Sequence, residues 1–116
     1  MNYRHFPVRS RLNKQNYHCH FVYLQTAISL RHSDTVDVKF LVNGTGVVVA
    51  LPHRTWVEYE RKTAQPLTDE LAAQAAAALL TEALERGDGM DLLDLSPSVE
   101  HTVELALQLR EQRPAA

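Results

Sequence analysis

The residues best equipped for chemistry in this sequence are His18-Cys19-His20. On an extended strand, side chains two positions apart share a face and stand about 7 Å from each other. His18 and His20 would then offer two imidazoles to zinc, nickel or iron. A working site needs at least one more ligand, and His5, His32 or His53 supplies it only if the fold brings that residue near. Cys19 projects the other way, so neither ring reaches its sulfur and a buried, inert thiol is expected. Glu58 and Glu60 share a face if they lie on a strand and would form an acid–base pair there, although solvated carboxylates are the commoner outcome of that spacing. No serine stands in a nucleophile elbow. Gly44-Thr45-Gly46 lacks the lysine and following helix of a phosphate loop. These residues assign no catalytic group and call for no cofactor.

A second set of residues suits binding better than catalysis. Residues 1–33 contain no aspartate or glutamate, yet they hold Arg4, Arg9, Arg11, Lys14 and Arg31 together with four of the six histidines. Tyr3, Phe6, Tyr17, Phe21 and Tyr23 are interleaved with them. Cations that neutralise phosphates beside rings that stack on bases are the ingredients of single-strand recognition on a sheet. Arg4, Arg9, Arg11, Lys14, Arg31 and Tyr17 therefore form a candidate surface for nucleic acid or another polyanion. Two structural readings compete with it. Basic residues on an edge strand discourage edge-to-edge pairing, and they can also face acids of the same chain or of a neighbour. Residues 67–116 supply such acids, ten carboxylates against three arginines.

Size and composition bound the remaining possibilities. At 116 residues, 45% hydrophobic and 22% charged, the chain is expected to form one domain over residues 1–112 with a frayed tail at 113–116. Its formal charge of −2 and pI near 6.3 conceal the opposed ends, and they argue against a dedicated nucleic-acid binder. No apolar run approaches the length of a membrane span. The polar start and the single cysteine fit a cytoplasmic protein without internal disulfides.

The elements that would position these groups fall into two halves. Tyr3–Leu12 alternates, with Phe6, Val8 and Leu12 on one side, and Pro7 marks it as an edge strand. A turn at 13–16 leads into a long or bulged strand over Tyr17–Arg31, whose more apolar face is Val22, Leu24, Thr26, Ile28 and Leu30. Ser33-Asp34 supplies the next turn. Asn43-Gly44 predicts a two-residue type I′ hairpin, because both residues tolerate positive φ. That loop pairs Val42 with Thr45, Phe40 with Val47, Val38 with Val49 and Val36 with Leu51 on the buried face. Asp37, Lys39, Leu41, Val48 and Ala50 occupy the opposite face, which is apolar enough to invite a cover. Arg54–Glu60 reads as a further strand segment.

The second half reads as helical. Thr68 is the expected N-cap of a helix closed by Gly87, with Ala72, Ala73, Ala76, Ala77, Leu79, Leu80, Ala83 and Leu84 on one broad face. Ser96 and Pro97 announce another helix, whose apolar arc is Val99, Val103, Leu105, Ala106, Leu107 and Leu109. Met90, Leu92, Leu93 and Leu95 make the linker between them too apolar for a free tether. The expected architecture is α+β, a four-stranded antiparallel β-meander, open or curled, followed by two amphipathic helices packed on the sheet. Apolar surplus on both faces of the hairpin points to a non-enzymatic domain that self-associates as a homodimer. Polyanion binding and a metal site at His18 and His20 are the alternatives.

Overall fold

The computed structural model describes residues 3–11, 14–27, 35–86, 94–95 and 97–112. Several sequence expectations lie outside that set: Leu12 and Asn13, Ile28 and Leu30, Arg31, His32, the Ser33-Asp34 turn, the stop at Gly87, Met90, Leu92 and Leu93, the cap at Ser96, and the tail at 113–116. The same holds for the Thr26 side chain.

Four antiparallel strands follow one another in chain order: β1 (His5–Arg9), β2 (Asn16–Ala27), β3 (Thr35–Val42) and β4 (Thr45–Pro52). Helices α1 (Arg54–Thr63) and α2 (Asp69–Glu85) come next, then the two-residue strand β5 (Asp94–Leu95) and helix α3 (Val99–Gln112). β5 pairs in parallel with β4 through Val48–Asp94 and Val49–Leu95, so the sheet runs β1-β2-β3-β4-β5 and stays open.

The hairpin forms in the expected register, with Val42 opposite Thr45 and Val36 opposite Leu51. Asn43 and Gly44 adopt φ of 49° and 85°, the pair of positive values that a type I′ turn demands. Asn43 also ties the turn to β2. Its Oδ1 accepts the His18 backbone N–H at 2.8 Å, and its own N–H donates to the His18 carbonyl at 3.0 Å. Pro7 sits on the outermost strand, as expected. The Phe21 N–H donates to the Arg4 carbonyl at 3.0 Å, so by alternation Pro7 and His18 form a non-hydrogen-bonded pair, and the missing N–H costs no ladder bond.

β2 changes phase. A bulge between Phe21 and Tyr23 leaves Tyr17 and Cys19 buried before it and turns Leu24 towards the core after it. The even-numbered face therefore holds only beyond the bulge, and Val22 is 44% exposed. One unpaired residue reverses which face every later side chain occupies.

Arg54–Glu60 is helical, not a strand. Thr55 and Tyr59, four residues apart, are the buried positions of α1, while Val57 is 56% exposed. The apparent alternation around Trp56 coincided with a helical stripe, and Arg61 and Lys62 in the last turn complement the helix dipole. The described residues thus form three helices instead of the expected two.

α2 starts where expected: the Thr68 hydroxyl accepts the Leu71 N–H at 3.1 Å. Eleven of the seventeen side chains of this helix are buried, and its alanines let it pack closely against both the sheet and α3. α3 begins two residues later than expected. The Ser98 hydroxyl receives the His101 N–H at 3.2 Å, and Pro97 precedes that residue instead of opening the helix. His101 then meets Glu82 of α2 at 2.8 Å. The helices join the Val38, Phe40, Val49 and Leu51 face of the sheet in one core. The Cα trace is 22 Å across its thinnest direction, the depth of one sheet and one helical layer.

Candidate functional site

Among the described residues, the side chains that no helix covers are those that the pleat turns away from the helices. β3 contributes Asp37, Lys39 and Leu41 to this outer face, β4 contributes Val48 and Ala50, and the bulge adds Val22 and Tyr23 from β2. Register sets them in rows: Tyr23, Lys39 and Val48 side by side, then Gln25, Asp37 and Ala50. Val22, Tyr23, Leu41 and Val48 neither belong to the core nor pack against it, and no described helix lies across them. Leu41 is 37% exposed. The Lys39 ammonium lies 5.9 Å from the Tyr23 ring centroid, so the row carries a cation resting on an aromatic face. Asp37 accepts the Thr35 hydroxyl at 3.0 Å. The centre is apolar and one charge of each sign stands beside it. The hairpin register predicts the β3 and β4 members, whereas Val22 and Tyr23 reach this face only through the bulge.

The basic residues of the first third do not gather on this face. Arg11 pairs with Glu85 at the end of α2 (3.6 Å between side chains), and its N–H donates to the Glu85 carbonyl at 3.0 Å. Arg4 lines a cleft with Asp69 and Glu70 at the start of the same helix. Arg4 to Arg11 spans about 23 Å as strand, and Asp69 to Glu85 spans about 24 Å as helix. The basic strand and the acidic helix are thus matched end to end, which gives the charge asymmetry an intramolecular use. Arg9 faces outward and Lys14 occupies a positive-φ turn position. Tyr17 is fully buried with its hydroxyl donating to Gln15 at 3.0 Å, so its ring has no free face for stacking. The described members of the set are therefore divided between two faces and the core.

Cys19 is fully buried, and desolvation pushes its thiol up to about 11. Such a thiol is not a nucleophile at neutral pH. Glu58 and Glu60 do not act as a pair. On a helix they diverge by about 200°, and Arg61 takes Glu58 at 2.9 Å, holding that carboxyl below its ordinary value.

His20 has a different neighbour from the one its sequence position suggests. His18 stands opposite Pro7, which offers no ligand, while His20 meets His5 across the β1–β2 pair with ring centroids 4.0 Å apart. His53 lies against Trp56, its ring nearly parallel to the indole. Among the described residues no group of three His, Cys, Asp or Glu side chains is placed to hold an ion. No described helix is long and apolar enough to cross a membrane. No family model matches this chain, and neither does any curated protein or solved structure.

Proposed function

We propose that this chain is a non-enzymatic α+β interaction domain that pairs with a second copy through its open sheet face. The observation that supports this reading is the outer sheet face of exposed Val22 and Leu41 with half-buried Tyr23 and Val48, across which no described helix lies. A second copy suits this face in charge as well as in polarity. A twofold axis lying between the sheets and crossing β3 at Val38 sets Lys39 of one copy against Asp37 of the other. Five strands about 4.8 Å apart and eight residues of about 3.3 Å give roughly 600 Å² per copy. That is below the 800 Å² or so per partner of a standard interface, so the dimer is weak, with a dissociation constant in the micromolar range. A cytoplasmic setting, whose reducing poise keeps a lone thiol free, fits the buried Cys19.

Sedimentation equilibrium over about 1 to 200 µM tests the reading. The wild type is expected to move from monomer to dimer across that range. Leu41→Lys is expected to stay monomeric, because it sets like charges against each other in a desolvated face. A wild type that remains monomeric at the upper end would overturn the proposal.

A further inference from the structure

We propose that His5 and His20 form a cross-strand site for a late first-row divalent cation such as Zn²⁺, Ni²⁺ or Cu²⁺. The site is created by strand register. Because the pair beside it, Arg4 and Phe21, is hydrogen-bonded, His5 and His20 occupy a non-hydrogen-bonded position, where opposed Cβ atoms come closest. Both side chains are exposed on the outer face, with ring centroids 4.0 Å apart and planes inclined by 64°. Two nitrogen–metal bonds of about 2.1 Å place ring centroids roughly 4.5 Å apart at the right angle of a tetragonal copper or nickel site, and about 5.3 Å apart at the tetrahedral angle of zinc. A small rotation about each side chain therefore closes both rings on one ion.

The surroundings favour a metal cation over a carboxylate or a backbone carbonyl as the partner of these two rings. Among the described residues neither ring has a hydrogen-bond or ion-pair partner, so the nitrogens are available. Residues 1–33 contain no carboxylate, so no acid of these strands neutralises the pair. On its other side His20 abuts Leu41, which gives the ion an apolar flank. Imidazole suits zinc, copper and nickel, and two imidazoles, one ligand short of a working catalytic or structural site, hold an exchangeable ion with water in the remaining positions. His18 is two residues along the same face from His20, about 7 Å away, and stands outside the site. Both ligands come from one chain, but they stand on the same outer face as Leu41, so binding is measured at chain concentrations below the dissociation constant of the proposed dimer.

Calorimetric titration of the untagged full-length chain with Zn²⁺, read as ions bound per chain, tests this. One ion per chain with micromolar affinity is expected. His5→Asn and His20→Asn should each weaken binding by more than about tenfold, the least that losing even an outer-shell partner costs a metal site. His18→Asn should leave it within about twofold of the wild type. Thermal melts of each variant check folding, and His5→Gln repeats the removal of the ligand with a different side chain. Absence of binding up to millimolar Zn²⁺, or wild-type affinity in folded His5→Asn and His5→Gln, would overturn the proposal. So would an effect of His18→Asn equal to that of His20→Asn.

Discussion

Replacing Ala76 by leucine separates two explanations of the alanine run in α2. Alanine is the best helix former, but leucine is nearly as good, so on propensity alone the change costs only a few tenths of a kcal/mol. The packing explanation gives a much larger figure. Ala76 is fully enclosed in the core, where α2 packs against both the sheet and α3. Three added carbons have no space there and must push the layers apart, at a cost of about 1–3 kcal/mol. Ala78, two residues along the same helix and only half-buried, is the internal control. Urea unfolding is the assay. With a slope near 1.5 kcal/mol/M for a domain of this size, the Ala76→Leu midpoint should fall by roughly 1–2 M at unchanged slope. Ala78→Leu should stay within about 0.5 M of the wild type. Equal midpoints for the two variants would refute the claim that close approach, not helix propensity, selects alanine here.

Other consequences are simpler to test. Between about pH 9 and pH 11 the unfolded chain loses the Cys19 proton while the folded chain, with its thiol pushed up to about 11, keeps it. The folded state therefore loses stability as pH rises through that window, by up to roughly 2–3 kcal/mol. Cys19→Ala should lack this part of the decline, and parallel stability curves for the two proteins would contradict the assignment. Gly44→Ala should cost about 1 kcal/mol by thermal or chemical unfolding. An added Cβ at Gly44 meets nothing within 4 Å, so the penalty comes from φ of 85° alone and no compensating repacking is expected. Thr68→Ala should cost about 1 kcal/mol through loss of the bond to the Leu71 N–H. An unchanged midpoint would show that the cap contributes nothing in this context.

Local chemistry made some of this protein legible and long-range pairing hid the rest. Asn43-Gly44 identified a turn whose loop length fixes the whole β3–β4 register, so the inner and outer faces of both strands followed from two residues. Thr68 worked for the same reason, since a cap is read within four residues. Arg54–Glu60 misled because it is only seven residues long and its apolar residues, Trp56, Val57 and Tyr59, are too few to separate a period of 2 from one of 3.6. The charge arrangement of Glu58, Arg61 and Lys62 was the usable helical signal. The sequence allowed for a bulge in β2 but carried no mark of its position between Phe21 and Tyr23, and with that went the placement of Val22 and Tyr23 on the open face. β5 is two residues long and exists only because β4 offers it an edge. The His5–His20 contact depends on the β1–β2 register, so spacing along one strand pointed to His18 instead. The opposed charges of the two ends were plain in the sequence. Their matching along β1 and α2 required knowing that those elements lie side by side.

Site-directed cross-linking tests the central claim, that the open sheet face joins two copies. Val48 lies on that face, whereas Val57 is an equally apolar, 56% exposed residue on α1. The buried Cys19 thiol does not compete with an introduced surface cysteine. A bis-maleimide spanning about 10 Å, the separation of two packed sheets, should convert Val48→Cys into a covalent dimer at tens of micromolar, the range of a weak association. Adding Leu41→Lys should suppress that product, and Val57→Cys should remain monomeric. Equal cross-linking through both cysteines, or none through Val48→Cys, would contradict the account.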